Sequence, residues 1–157
     1  MDKHFELTDK FIINAFGVKL FQIKCTRKIK YADIGDLGGY IEKENNLSGN
    51  AWVSGEAQVY GDAQVSGYAR VSGYARVSGN AWVSNNNEHC GFDCFGSANR
   101  HTHAYKTESG KIEITCGCFR GSIEEFEKQI KETHRGNEFE RQYMAIVEVI
   151  KIKFGLK

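Results

Sequence analysis

Residues 55–78 read GEAQVYGDAQVSGYARVSGYARVS, and this stretch repeats one pattern of six residues. Each hexad holds a glycine, a variable residue, an alanine, a polar residue and a valine, followed by serine or tyrosine. A period of six does not suit an amphipathic α-helix, because 3.6 residues per turn would not return the valine to the same face. Apolar and polar residues alternate as in a strand, and each glycine permits a turn. The repeat therefore predicts short strands that turn the same way each time.

The hexads extend beyond the quoted stretch, from Leu37 to Ser84. Two columns of apolar side chains recur in them, and we expect both columns to face inward. The aliphatic column contains Ile41, Leu47, Val53, Val59, Val65, Val71, Val77 and Val83, and the alanine column contains Ala51, Ala57, Ala63, Ala69, Ala75 and Ala81.

These hexads resemble the hexapeptide repeat of left-handed parallel β-helices. The resemblance implies three hexads per coil, so that residues eighteen positions apart stack at about 4.8 Å. The expected fold class is mainly β: a short left-handed parallel β-helix of hexapeptide repeats, with an N-terminal β-hairpin cap and a C-terminal α/β cap of one strand and two helices.

Both caps are suggested by local patterns. Residues 10–25 contain two apolar strands on either side of the turn at 14–17, which predicts a hairpin. Residues 111–118 alternate as a strand. Ser122 and Glu125 have the spacing of a helix capping box, and Gly136 is placed to end that helix before a second one begins at Asn137. The expected segments are a hairpin cap at 1–36, the hexads at 37–84 and the C-terminal cap at 85–157.

Composition narrows the classes of function. The chain has 157 residues, with 21 Lys and Arg against 20 Asp and Glu, and this balance argues against a broad nucleic-acid-binding face. The five cysteines are odd in number and unevenly spaced, which does not suit a disulfide framework. No run of eighteen apolar residues or secretory signal is recognisable, so we expect no membrane association and a cytoplasmic location.

With both caps included, the whole chain resembles a group of proteins encoded by bacteriophages and prophages. The likeness is carried by residues 35–42, by the hexads, and by residues 116–127 together with Thr133-His134 and Tyr143. It implies a phage or prophage origin and a location in the host cell cytoplasm. Proteins of this group are described as hypothetical, hexapeptide-repeat or polymer-forming, and no catalytic residues are assigned in them.

The distribution of histidine and cysteine disfavours two kinds of chemistry. Hexapeptide β-helices are best known as acyltransferases, which use a histidine base beside a coil, yet residues 37–84 contain no histidine. Cysteine and histidine ligands are concentrated after residue 88, but their spacing differs from that of paired zinc knuckles. The weak metal candidates are Cys90, Cys94, Cys116 and Cys118. We therefore expect neither a catalytic site nor a metal or other cofactor.

Aromatic residues and arginines stand on the outer positions of the hexads. Stacking by eighteen would place Trp52 beneath Arg70, a favourable cation–π arrangement. Trp, Tyr and Arg also dominate protein interfaces, so we expect a homotrimer that buries at least one such surface. The expected interface residues are Trp52, Trp82 and Tyr60.

The polar segment 96–103 is interpreted as a loop with donors for an anion. The candidate ligand-binding residues are Arg100, His101, His103, Arg70, Arg76, Tyr68 and Tyr74. The resulting hypothesis is a non-enzymatic phage or prophage protein that binds a host protein or sequesters a small anionic ligand, such as a nucleotide, to counter host defence. A hexapeptide-repeat acyltransferase and a structural or polymer-forming protein are the alternatives.

Overall fold

A computed structural model describes residues 3–156 of the chain and divides them into two compact units. The first unit ends at Asn87 and the second begins at Glu88. The N-terminal hairpin and the hexads therefore belong to the same unit.

The first unit opens with the predicted hairpin. Strands β1 (Phe5–Ile13) and β2 (Lys19–Cys25) pair antiparallel, and β2 then pairs antiparallel with β3 (Leu37–Ile41). The turn is closed by the Asn14 side chain, whose Oδ1 accepts hydrogen bonds from the backbone N–H groups of Phe16 and Val18 at 2.9 and 3.0 Å. The hairpin prediction is confirmed.

Each of the last six hexads contributes a strand of two residues. These strands are β4 (Trp52–Val53), β5 (Gln58–Val59), β6 (Gln64–Val65), β7 (Arg70–Val71), β8 (Arg76–Val77) and β9 (Trp82–Val83). They pair in parallel with partners eighteen residues away, β4 with β7, β5 with β8 and β6 with β9. The expected register of eighteen is therefore confirmed for these pairs.

The two apolar columns face inward as predicted. Every valine from Val53 to Val83 in the aliphatic column is fully buried, and every alanine in the second column is buried as well. The glycine between consecutive strands adopts positive φ, for example 61° at Gly67, where an added Cβ would collide with the carbonyl oxygen of Ser84. Glycine is thus required there both for its conformation and for close packing of the backbone.

The expected fold class is wrong. The described residues do not form a left-handed parallel β-helix with small caps, because part of the hexad strands continues the antiparallel hairpin in one mixed sheet and the others form sheets of only two strands. Strands β5 and β8 extend a mixed sheet of order β1-β2-β3-β5-β8, whereas β4-β7 and β6-β9 are sheets of two strands each. A ladder of two residues contributes few hydrogen bonds. The ladder of β5 and β8 is joined through β3 to the antiparallel hairpin. The architecture is a set of small mixed and antiparallel sheets with two helices.

The second unit contains a four-stranded antiparallel sheet and both helices. The strands, in sheet order, are β10 (His89–Phe95), β11 (Arg100–Lys106), β12 (Ile112–Cys116) and β13 (Phe119–Ser122). The interpretation of 96–103 as a loop is wrong, because only residues 96–99 lie between β10 and β11. The C-terminal cap has four strands rather than the one expected. The strand expected at 111–118 ends at Cys116, and the chain then turns at Gly117.

Helices α1 (Ile123–His134) and α2 (Glu138–Lys153) begin where the sequence predicts. The Ser122 hydroxyl accepts a hydrogen bond from the Glu125 backbone N–H at 3.1 Å, and the Glu125 carboxylate accepts one from the Ser122 backbone N–H at 2.9 Å. Asn137 caps α2 through its side-chain oxygen. The buried faces of both helices pack with the sheet in one apolar cluster, which includes Ile114, Ile123, Phe126, Ile130, Tyr143, Ile146, Val147 and Ile150.

Neither helix combines the length and the apolar character needed to span a lipid bilayer; this holds for the part of the chain that the structure describes.

Candidate functional site

The second unit contains a pocket of about 440 Å³ between the helices and the end of the sheet that carries Arg100. Its apolar surface comes from the side chains of Cys116, Phe119, Phe126, Ile130 and Tyr143. Its polar surface comes from Ser97, Arg100, Gln129, Thr133 and His134. We call this cavity the Arg100 pocket.

Arg100 is positioned by the absence of a side chain at Gly117. A Cβ at Gly117 would collide with the Arg100 guanidinium, so the arginine lies directly against the backbone of the β12–β13 turn. Gly117 also has a φ of 58° as the first central residue of that two-residue turn, a position that favours glycine. Among residues 3–156, no carboxylate forms an ion pair with Arg100. Its positive charge is therefore available to a ligand.

Tyr143 lies at the buried side of the Arg100 pocket. Its hydroxyl donates a hydrogen bond to the carbonyl oxygen of Phe95 at 3.4 Å and accepts one from the Cys116 thiol, with the sulfur 3.8 Å away. Burial, with a further contribution from Cys116, raises the pKa of Tyr143 well above its usual value, although Arg100 acts in the opposite direction. The phenol is consequently a neutral hydrogen-bonding group.

The loop at 96–99 is fitted closely to α2. A Cβ at Gly96 would collide with the Tyr143 hydroxyl, and the Gly96 backbone N–H donates a hydrogen bond to the Gln142 side chain at 2.8 Å. These contacts fix the loop that presents Ser97 and Arg100. The position of the arginine is therefore determined on two sides, by the loop and by the turn at Gly117.

His134 lines the Arg100 pocket next to Tyr143. Its ring stacks on Tyr143 with the centroids 5.6 Å apart and the planes inclined by 23°. The hydrogen bonds of the described residues do not involve the ring nitrogens of His134, so both are free for a ligand. The neighbouring Thr133 hydroxyl accepts a hydrogen bond from the Gln129 amide at 3.0 Å and keeps its own proton for donation.

The arrangement suits recognition of an anion attached to an apolar body. The guanidinium presents several donors in one plane and can bind a carboxylate or phosphate with two hydrogen bonds. Aromatic side chains beside it can cover a flat or aliphatic portion of the ligand. The volume falls within the range of small-molecule sites, about 300–1,000 Å³.

Arg100 belongs to the pocket, but the structure does not bring the other candidate ligand residues to it. His101 and His103 alternate with Thr102 along β11 and hydrogen-bond to each other rather than lining the pocket. Arg70 and Arg76 lie in the first unit, where their guanidinium carbons stand over the rings of Tyr31 and Phe16 at 5.5 and 5.0 Å. The remaining two candidates, Tyr68 and Tyr74, are 59% and 70% exposed in that unit.

The three expected interface residues differ in exposure. Trp82 is 44% exposed, whereas Trp52 and Tyr60 are 3% and 8% exposed and pack inside their own unit. Trp52 pairs in register with Arg70 as expected. The expected Arg70–Trp52 cation–π contact is replaced by the one between Arg70 and Tyr31.

All five cysteines are free thiols. Cys116 and Cys118 both line the Arg100 pocket, whereas Cys90 and Cys94 lie on β10. Burial raises the pKa of the Cys90 thiol. Within residues 3–156, His, Cys, Asp and Glu side chains nowhere gather in a group of three or more that could hold a metal ion.

Several pocket residues were not singled out as ligand residues from the sequence. Ile123, Phe126 and Ile130 form the apolar stripe of α1, and the next positions on that stripe are Thr133 and His134. The sequence did contain a signal for these residues, because polar side chains occupy positions where a buried apolar stripe would continue. Their contribution to a pocket depends on the position of α1 over the sheet, which no local pattern specifies.

Comparisons with protein families, with curated proteins and with solved structures found nothing that matches this chain.

Proposed function

We propose that this is a non-enzymatic binding protein whose Arg100 pocket holds a small ligand with one anionic group and an apolar portion. The observation that carries the proposal is an arginine without a carboxylate partner in the described structure, held against the wall of a cavity with an apolar floor. An unneutralised guanidinium in such a place is a ready counter-ion for a carboxylate or a phosphate.

The size and polarity of the pocket narrow the ligand class. One arginine lines it, so a single anionic group is the natural complement. Phe119, Phe126 and the stacked rings of His134 and Tyr143 offer aromatic surface for a planar or aliphatic body. Gln129 and Thr133 add neutral donors and acceptors. Nucleoside monophosphates and aromatic carboxylates both satisfy this description.

The wider proposal concerns biological context and is supported by the sequence resemblance alone. In it, the protein is made by a phage or prophage, acts as a homotrimer in the cytoplasm of the host, and counters host defence by sequestering the ligand or by occupying a host protein. The exposed rings of Tyr68, Tyr74 and Trp82 support a surface for partners.

The test is calorimetric titration of the full chain with a panel of nucleoside monophosphates and aromatic carboxylates, alongside the corresponding nucleosides and carboxamides. We expect at least one anion to bind and its neutral counterpart to bind at least tenfold more weakly. The Arg100→Gln variant should lose about tenfold or more in affinity, because a charge-assisted hydrogen bond is worth about 1.5–3 kcal/mol.

Arg141→Gln is the matched control, because Arg141 is an exposed arginine on α2 that does not line the pocket. It removes the same charge and should leave the affinity unchanged. Equal binding by the wild-type protein and Arg100→Gln would exclude the Arg100 pocket as the site. Binding of neutral and anionic ligands with equal affinity would exclude the assigned ligand class.

A further inference from the structure

Two cysteine thiols lie on the wall of the Arg100 pocket. Cys116 ends β12, Cys118 is the second residue of the turn into β13, and both line the cavity. Only Gly117 separates them in the chain. Cys116 is buried, whereas Cys118 is exposed. The pocket therefore contains one sheltered thiol and one thiol that solvent reaches.

The turn between β12 and β13 brings the two cysteines close together. Cys116 pairs with Phe119 across the turn, so the chain reverses its direction within residues 117–118. Consecutive Cα atoms lie about 3.8 Å apart, and two such steps in so tight a reversal span about 5–6 Å. The Cα atoms of bridged cysteines lie about 4.4–6.8 Å apart. The backbone of the turn therefore meets the distance condition for a disulfide between Cys116 and Cys118.

The guanidinium of Arg100 lies against the same turn. It takes the space that a Cβ at Gly117 would fill, so its positive charge stands beside the peptide that joins the two cysteines. Aromatic surface is close by, because the rings of Phe119 and Phe126 lie with their centroids 5.1 Å apart. A disulfide reagent that carries a carboxylate on an apolar body would find a counter-ion and a contact surface next to the thiols.

Hydrogen bonds fix Cys116 at the inner side of the pocket. Its sulfur accepts a hydrogen bond from the Thr102 hydroxyl at 3.2 Å and donates one to the Tyr143 hydroxyl at 3.8 Å. Access is one of the factors that decide which sulfur reacts in thiol–disulfide exchange. An incoming reagent therefore meets the exposed Cys118 first.

We propose that Cys116 and Cys118 are a redox-active dithiol that reacts with small anionic disulfides attracted by Arg100 and closes to an intrachain disulfide. Glutathione disulfide is a cellular compound of this chemical class. The inference rests on the proposed function in one respect, the attraction of an anion by Arg100. It adds to the pocket a covalent chemistry that ligand binding alone does not require.

The reaction has two exchange steps. The Cys118 sulfur loses its proton to solvent and attacks one sulfur of the reagent, so that a mixed disulfide forms and the first half of the reagent leaves as a thiolate, which takes up a proton. The Cys116 sulfur then loses its proton and attacks the Cys118 sulfur, and the second half of the reagent leaves in the same way. The chain has lost two electrons and two protons, and the reagent has been reduced to two thiols.

The product should be readily reversible. A disulfide between residues two positions apart closes a very small ring at the protein surface, and strained or exposed disulfides are the labile, regulatory ones. Excess glutathione should therefore return the pair to two thiols. Oxidation also removes the thiol proton that Cys116 donates to Tyr143, so the redox state of the pair changes the inner wall of the pocket.

The first test is treatment of the full chain with one equivalent of dithiobis(nitrobenzoate), an aromatic disulfide with a carboxylate on each ring. After the remaining thiols are blocked, trypsin should release residues 112–120 as one peptide that contains both cysteines, because Lys111 precedes it and Arg120 ends it. We expect this peptide to be two hydrogens lighter than its dithiol form and to carry no adduct. A peptide that stays reduced, or that keeps a stable mixed disulfide, would overturn the proposal.

Cys94 is an internal control for the role of charge, because it is an exposed thiol that does not line the pocket. The anionic reagent should react about tenfold faster at Cys118 than at Cys94, whereas the neutral reagent dithiodipyridine should react with both at similar rates. Arg100→Gln should abolish the preference for the anionic reagent, and Arg141→Gln should retain it. The same ratio of rates for both reagents in the wild-type protein would contradict attraction by Arg100.

Cysteine variants test the order of the two steps. Cys116→Ser should stop at the mixed disulfide on Cys118 and release one reduced half of the reagent instead of two. Cys118→Ser should leave the buried Cys116 unreacted. Release of two halves from residues 112–120 in either variant would contradict the proposed pair.

These outcomes are separable from those of the calorimetric titration. If the pair closes as expected and no anionic ligand binds, the proposed function fails and the dithiol stands. If a ligand binds at Arg100 and the pair stays reduced, the dithiol fails and the proposed function stands.

Discussion

At the scale of single residues, the second unit depends on glycines that make room for functional side chains. Gly117 accommodates the Arg100 guanidinium, Gly96 accommodates the Tyr143 hydroxyl, and Gly91 accommodates two histidine rings. In each case the neighbouring side chain takes the volume that a Cβ would fill. The arginine could be identified as a ligand candidate from the sequence, but the glycines that position it could not, because each close approach joins different strands or helices.

Buried histidines make stability depend on pH. The pKa of His89 is lowered from its usual 6.5 to about 4 by burial, and the pKa values of His103 and His4 are lowered as well. Between pH 6.5 and 4 the unfolded chain therefore binds more protons than the folded chain, so stability is complete above pH 6.5 and falls as the pH decreases. His89 alone should cost about 2 kcal/mol at pH 5 relative to pH 7.

Urea unfolding at pH 7 and pH 5 measures this loss. The His89→Asn variant provides the comparison, since it removes the titrating ring and should show a smaller difference between the two pH values. Equal or greater stability of the wild-type protein at pH 5 would contradict the prediction.

At the scale of elements, the helix caps are formed by residues a few positions apart in the chain, so their residues could be predicted from the sequence. Ser122 and Glu125 exchange two hydrogen bonds at the start of α1, and the contact with Ser122 lowers the pKa of the Glu125 carboxyl. Replacing Ser122 with alanine should destabilise the protein by about 1 kcal/mol, because the Glu125 backbone N–H loses its acceptor.

Chemical denaturation monitored by circular dichroism at 222 nm tests the capping prediction. Ser72→Ala is the control, since it removes a hydroxyl at an exposed position of the hexads and should change stability by less than about 0.5 kcal/mol. The capping role would be refuted if both substitutions had the same effect.

Strands β10 and β11 show where prediction of elements failed. The segment 96–103 is polar and begins with glycine, so its local pattern favoured a loop. In the structure, residues 100–106 pair with both β10 and β12, and backbone hydrogen bonding to two neighbours outweighs the polar composition. His101 and His103 thereby acquire a common face, which an irregular loop would not have given them.

At the scale of the whole molecule, the sequence supports a homotrimer, which stays a prediction. Native mass spectrometry of the purified chain should give a mass of three copies, and Trp82→Ser combined with Tyr74→Ser should weaken the assembly. Both rings are exposed in the described structure, so their removal should leave the folded chain intact. A single-chain mass at micromolar concentration, together with native circular dichroism, would disprove self-association.

The sequence by itself determined the period of six, the inward valine and alanine columns, the hairpin and the helix caps, and the resemblance to hexapeptide repeats added the register of eighteen. All of these depend on side chains that lie close together in the chain or recur at one constant interval. Only the tertiary structure decided that two hexad strands continue the N-terminal hairpin in one mixed sheet, that Arg100 faces a cavity, and that His89, His101, His103 and Asp93 meet in one row. The physical reason is that these features arise from pairing and packing between segments distant in sequence, where shape and burial rather than periodicity select the neighbours.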